Sequence, residues 1–171
     1  GPLPFLEKFT DSVRTSTARL TFPSGPSELV AIAAARWLAA GGYLIQQTHD
    51  MAEVMFGFPD PMPQHAQRAC RACLDVRERL LKGIEAEWTL TVRNQVVRGA
   101  LIQDRNGHVL LPVDQDRTAN KGFPEEAGQI VIDDATSRTL ASKHWEIEAI
   151  AEHPTWRLLL GKQSRKDNAA S

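Results

Sequence analysis

The chain has 171 residues, of which 42% are apolar and 24% charged, with 20 basic side chains against 21 acidic ones. These values exclude a collagen-like, coiled-coil or fully disordered chain, and the net charge of −1 argues against an overall electrostatic grip on nucleic acid or anionic lipid. Two cysteines are too few for a disulfide scaffold.

Residues 1–26 carry Pro2, Pro4, Pro23 and Pro26 and read as an N-terminal arm. The spacing of Phe5, Leu6, Phe9 and Val13 predicts a short helix within it. Gly1-Pro2 stands where an initiator Met would be and resembles the remnant of a tag-cleaving protease site, so a fragment of a larger protein or complex is expected. Ser24-Gly25-Pro26-Ser27 is a helix start signal, because Pro suits the first turn and Ser accepts a free backbone N–H. The helix is predicted from Ser27 to Ala40, ended by Gly41-Gly42. The apolar stretch Leu29 to Ile45 is shorter than the ~20 residues a spanning helix needs, and Arg36 interrupts it. With no signal-peptide pattern, a soluble cytoplasmic domain is expected.

Tyr43 to Gln47 reads as a short strand or a helix extension, and Thr48 as the cap of a second helix over 50–56. Gly57 to Pro63 is a proline-rich breaker. A third helix is predicted over 64–83, with Ala66, Ala69, Cys70, Cys73, Val76 and Leu80 on its apolar stripe. After Glu87 the pattern changes to strands near Trp88–Val92, Val96–Ile102, His108–Val113, Gln129–Ile132, Trp145–Ile150 and Trp156–Leu160. Asn106-Gly107 marks a hairpin, and a short helix is predicted over 134–142.

The fold class expected is therefore α+β. A helical N-terminal half packs on a mainly antiparallel sheet of about five strands in the C-terminal half. The divisions expected are the arm 1–26, a helical part 27–86 of three helices, a strand-rich part 87–161 and a flexible tail 162–171. They form one compact domain or two lobes sharing a core.

Motifs that carry chemistry are few. Cys70 and Cys73 form C-x-x-C, and His65 extends it to H-x4-C-x2-C, yet both thiols lie on an apolar helix stripe and read as buried. Asp114-Gln-Asp116-Arg-Thr118 after an apolar strand resembles the first motif of haloacid-dehalogenase-type phosphatases, with Asp133-Asp134 like that family's acidic pair. The spacing leaves no room for that family's crossover helices. As a calcium loop the same run would use Asp114, Asp116, Thr118 and Glu125, but Ala119 stands where the sharp turn needs Gly. His49-Asp50 resembles the doublet of HD phosphohydrolases, and a helix-capping Asp50 is the plainer reading. No nucleophile elbow, P-loop or G-x-G-x-x-G is present. No catalytic residue, metal ligand or cofactor is implied.

The function expected from these residues is a non-enzymatic protein-interaction or assembly module with a protein partner. Phe56, Phe58 and Trp156 are the apolar contact candidates, on an exposed patch. The alternative is a nucleic-acid-binding domain using Arg68, Arg71, Arg79 and Lys82 on helix 64–83 together with the basic tail Lys162, Arg165 and Lys166. A small metal-dependent hydrolase comes third. Oligomeric state is left open.

Overall fold

A computed structural model describes residues 5–114, 122–124 and 126–163. Its centre is a pair of long antiparallel strands, β1 (Phe5–Thr21) and β4 (Thr89–Asp104), in register from Phe5↔Gln103 to Thr21↔Thr89. Between them the chain forms α1 (Ser27–Ala39), the hairpin β2 (Tyr43–Gln47) and β3 (Met51–Phe56), and α2 (His65–Val76), which runs on into a π-type turn over Arg77–Leu81. After β4 come β5 (Gly107–Asp114), β6 (Ile130–Asp133), α3 (Asp134–Thr139), β7 (Trp145–Ala149) and β8 (Trp156–Lys162). The eight strands form one mixed sheet in the order β2-β3-β1-β4-β6-β8-β7, with β5 paired to the far half of β4. The β4–β6 pair is parallel.

Alternation along the central strands decides which face is covered. Ala18, Leu20 and Phe22, then Ala52, Val54 and Phe56, then Leu90 and Val92 are all buried in one cluster with Val30, Ala33 and Trp37 of α1 and Cys70, Cys73 and Val76 of α2. The alanines of α1 let its backbone approach the sheet closely. Trp37 ties the two helices together: its Nε1 donates to the Ala72 carbonyl at 2.9 Å, and Arg36 forks onto Asp75 at 2.7 and 2.9 Å. Gly42 ends the α1 turn where a side chain would collide with Val54 Cγ1 at 2.2 Å. A smaller cluster of Met55, Phe58 and Val97, fringed by Val13, Tyr43, Ile45 and Leu110, lies on the opposite face, because these positions have the other parity in the strand register.

Several expectations are corrected here. The molecule is built on an eight-stranded sheet, not on a helical half packed against about five C-terminal strands. The arm expected to hold a short helix is the long central strand β1, and Asp50 caps no helix: Thr48-His49-Asp50 is the turn between β2 and β3. The helical part 27–86 and the strand-rich part 87–161 are joined in one sheet, since β1 pairs with β3 and, along its length, with β4. The sheet is mixed, its pairs antiparallel except β4–β6, which is parallel because the chain after β5 returns to the start of β4 before β6 is laid down. The tail residues Arg165 and Lys166, and Asp116, Thr118, Ala119 and Glu125 of the acidic loop, lie outside the described residues. No helix is long and apolar enough to cross a membrane among the described residues.

Candidate functional site

The same alternation that buries Ala18 and Leu20 turns Thr17, Arg19 and Thr21 to the sheet's open face. Glu53 of β3 and Thr89, Thr91 and Arg93 of β4 stand beside them in register: Glu53 opposite Arg19, Arg19 opposite Thr91, and Thr17 opposite Arg93. Together with Gly122, Phe123 and Pro124 they line a cavity of about 330 Å³. Phe123 is held by stacking on Trp156, with ring centroids 4.1 Å apart.

Two guanidinium groups dominate this groove. Arg19 Nε donates to Glu53 Oε2 at 2.8 Å, and Arg93 Nη2 lies 3.6 Å from Asp114 Oδ2. Arg93 is only 8% exposed, and among the described residues its Nη1 has no hydrogen-bond partner. Burial pulls its pKa below the ordinary arginine value, opposed by the charges of Asp114 and Glu53. The Thr17 hydroxyl is likewise buried without a partner. Most buried polar groups in folded proteins are paired, since leaving one unmade costs about 1–3 kcal/mol. Two such atoms on the walls of one cavity, both without a partner among the described residues, single this groove out as the candidate site. An arginine also offers five N–H donors, so pairing with a carboxylate aims the fork without exhausting it.

The candidates expected from the sequence fall elsewhere. Phe56 and Phe58 are buried, Phe58 edge-on to Tyr43 at 5.1 Å, so the exposed patch expected around them is absent. Trp156 is half-buried under Phe123 at the margin of the groove. Arg68, Arg71, Arg79 and Lys82 are exposed along α2 and its continuation, with Arg79 bonded to Asp75 at 3.0 Å and Lys82 near Glu78 at 3.6 Å. The groove brings none of these four together. Cys70 and Cys73 are fully buried, and burial pushes both thiols above their ordinary pKa, so they carry neither metal nor nucleophilic chemistry. Asp133 accepts from the Asn94 and Thr136 backbone N–H groups and caps α3, a structural employment of both its oxygens. Among the described residues no group of three or more His, Cys, Asp or Glu could hold a metal ion.

One pair that no sequence motif announces is Ser16 Oγ and His65 Nδ1, 2.7 Å apart. Burial and the Arg14 charge both lower the His65 pKa. Ser16 is fully buried on the helix-covered face, so the pair pins α2 to β1 and offers no nucleophile. The groove residues had a weaker sequence signal: Thr17-x-Arg19-x-Thr21 and Thr89-x-Thr91-x-Arg93 each place polar groups at every second position of an otherwise apolar strand.

No family model and no curated protein matches the sequence. Solved structures do match the fold. The guanylate cyclase domain of RhGC from Catenaria anguillulae, in complex with GTP, superposes with a TM-score of 0.69 at 16% identity, over 92% of this chain and 100% of that one. The adenylyl cyclase CyaB from P. aeruginosa superposes with 0.68 at 15% identity, over 94% and 99%. A dimeric guanylyl cyclase domain of the RhoGC fusion protein from Blastocladiella emersonii gives 0.64 at 19% identity, over 92% and 100%. The chain has the fold of nucleotide cyclase domains. That likeness to cyclase catalytic domains overturns the expectation of a non-enzymatic interaction or assembly module, and those of a nucleic-acid-binding domain and a small hydrolase.

Proposed function

We propose that the chain is a nucleotide-cyclase-type enzyme domain and that its open-face groove holds the polyphosphate of a nucleoside triphosphate, ATP or GTP. The observation that carries this reading is Arg93, a nine-tenths buried guanidinium with an unmet Nη1 donor on the groove wall, beside the unmet Thr17 hydroxyl. Phosphate oxygens accept from such donors in strong, charge-assisted bonds. Arg19, half exposed beside Glu53, supplies a second fork at the mouth. In cyclisation the ribose 3′-oxygen bonds to the α-phosphorus, the bond from that phosphorus to the bridging oxygen breaks, and diphosphate leaves with one proton released. Negative charge gathers on the departing diphosphate, and fixed guanidinium donors there lower the barrier.

Nucleoside triphosphates commonly travel as magnesium chelates, but these groove residues do not fit a divalent ion. Magnesium asks for carboxylate oxygens in an octahedral shell. Glu53 is committed to Arg19, Asp114 faces Arg93, and the orphaned Nη1 is a donor that no metal accepts. The binding step is therefore assigned to the arginines and threonines alone. A groove open on one side also needs a second wall, which we assign to another cyclase-fold chain seated over the fringe of Val13, Tyr43 and Ile45. A non-canonical dimeric form stands among the structural neighbours, beside monomeric ones, and supports pairing of such chains. The cytoplasm, where these triphosphates are held, is the compartment it implies.

Calorimetric titration with GTP and with ATP, paired with a diphosphate-release assay, tests the reading. Saturable binding of either nucleotide that the double variant Arg19→Ala/Arg93→Met loses supports it. Absence of saturable binding to both nucleotides overturns it.

A further inference from the structure

A second cavity, of about 500 Å³, opens between α2, the segment joining α3 to β7, and the end of β8. It shares no lining residue with the groove. Trp145 is nearly buried in its wall. The Arg71 guanidinium and the Lys162 ammonium both lie over that ring, 6.0 and 5.5 Å from its centroid. His144, Gln64, Gln67, Thr139 and Gln163 complete the polar lining. Two bonds brace the walls: Gln67 Nε2 donates to the Thr139 carbonyl at 3.2 Å, and the Gln163 N–H donates to the His144 carbonyl at 2.9 Å.

The charge of this cleft is unbalanced, unlike that of its neighbours. Further along the same helical segment Arg77 and Lys82 meet Glu78, and Arg79 meets Asp75. Among the described residues Arg71 and Lys162 make no ion pair and no carboxylate lines the cleft. The first turn of α2, with no acidic residue and no side-chain cap, adds its positive end to the same place. The ring face attracts both cations, and their two charges are left available to an anion entering the cleft.

We propose that this cleft binds the phosphate group of a small phosphorylated molecule, with Arg71 and Lys162 on the phosphate and the glutamine amides on the polar remainder. Its volume is that of a small-molecule site, and the fork of Arg71 and the point charge of Lys162 are complementary phosphate donors. The site is independent of the groove.

Tryptophan fluorescence of the whole chain, titrated with inorganic phosphate and with ribose 5-phosphate, tests it. The expected result is a saturable change, at lower concentration for the sugar phosphate, that Trp145→Phe abolishes. Arg71→Gln/Lys162→Gln, both exposed positions, weakens binding at least tenfold, while Arg19→Ala/Arg93→Met leaves it unchanged. No saturable response, binding that survives the Arg71/Lys162 pair, binding lost in the groove variant, or equal affinity for both probes would each overturn the proposal.

Discussion

Replacing Arg93 by Met separates the groove's chemistry from the fold's stability. Among the described residues the side chain makes one ion pair, at 3.6 Å to Asp114, whose own side chain is 23% exposed. Breaking a buried pair by removing one partner costs about 3–5 kcal/mol, but here Asp114 reaches solvent and the penalty shrinks. Removing the orphaned Nη1 gives back the desolvation cost of an unmade bond, about 1–3 kcal/mol. The two terms oppose, so the net loss should stay below about 2 kcal/mol, or less than about 8 °C in Tm for a chain of this size. Nucleotide affinity should respond quite differently. Hydrogen bonds to charged groups contribute about 1.5–3 kcal/mol, which is a weakening of roughly 10- to 150-fold. Urea denaturation gives the first quantity and calorimetric titration with GTP or ATP the second. An Arg93→Met protein that loses several kcal/mol of stability yet binds nucleotide as before would make Arg93 a structural residue and refute the reasoning.

Two further outcomes bear on the scaffold. Trp37→Phe keeps an aromatic ring in the core but removes its bond to the Ala72 carbonyl and leaves a small void, so unfolding free energy should fall by about 1–3 kcal/mol in urea; a loss under about 0.5 kcal/mol would mean the helix–helix tie is idle. The hydrogen bond from Arg36, followed by the charges of Arg36 and Arg79, holds the Asp75 carboxyl below its ordinary pKa. A folded pKa below the unfolded one stabilises above the unfolded value, about 3.9, and that stabilisation is lost as pH falls through the folded value. The stability gap between the wild type and Asp75→Asn should thus be level from pH 5 to 7 and close below about pH 4; a gap that widens in acid would contradict the assignment.

The helices and the C-terminal strands were legible because their periodicities are local. The Ala66-Ala69-Cys70-Cys73-Val76 stripe of α2 spaces its apolar residues at helical intervals, and Asn106-Gly107 turns β4 into β5 as its tolerance of positive φ requires. β1 was hidden for two physical reasons. Register shifts between Leu6 and Lys8 and between Phe9 and Ser12 break the period-two pattern, leaving Phe5, Leu6, Phe9 and Val13 at helical spacing. Its central run Thr15-Ser16-Thr17 is polar yet buried, because sheet bonds and neighbouring strands enclose it on both sides. Met51–Phe56 misled in a similar way: a nearly continuous apolar run serves a helix or a strand, and only the pairing of Ala52, Val54 and Phe56 with β1 decides it. The groove was out of reach for want of any local motif. Thr17, Arg19, Glu53 and Arg93 come from three strands far apart in sequence, and only the register assembles them. The basic helix drew notice instead because its charges are contiguous, although on its last turns they are answered by Asp75 and Glu78.

The central claim is that a polyphosphate sits against Arg93 and Thr17 on the open face of the sheet. A crystal structure of the chain with a non-hydrolysable GTP or ATP analogue tests this most directly. Phosphate oxygens should lie within hydrogen-bond distance of Arg93 Nη1 and Thr17 Oγ1, with Arg19 on the outer phosphate. A nucleotide bound elsewhere, with both groove atoms still unmet, would contradict it.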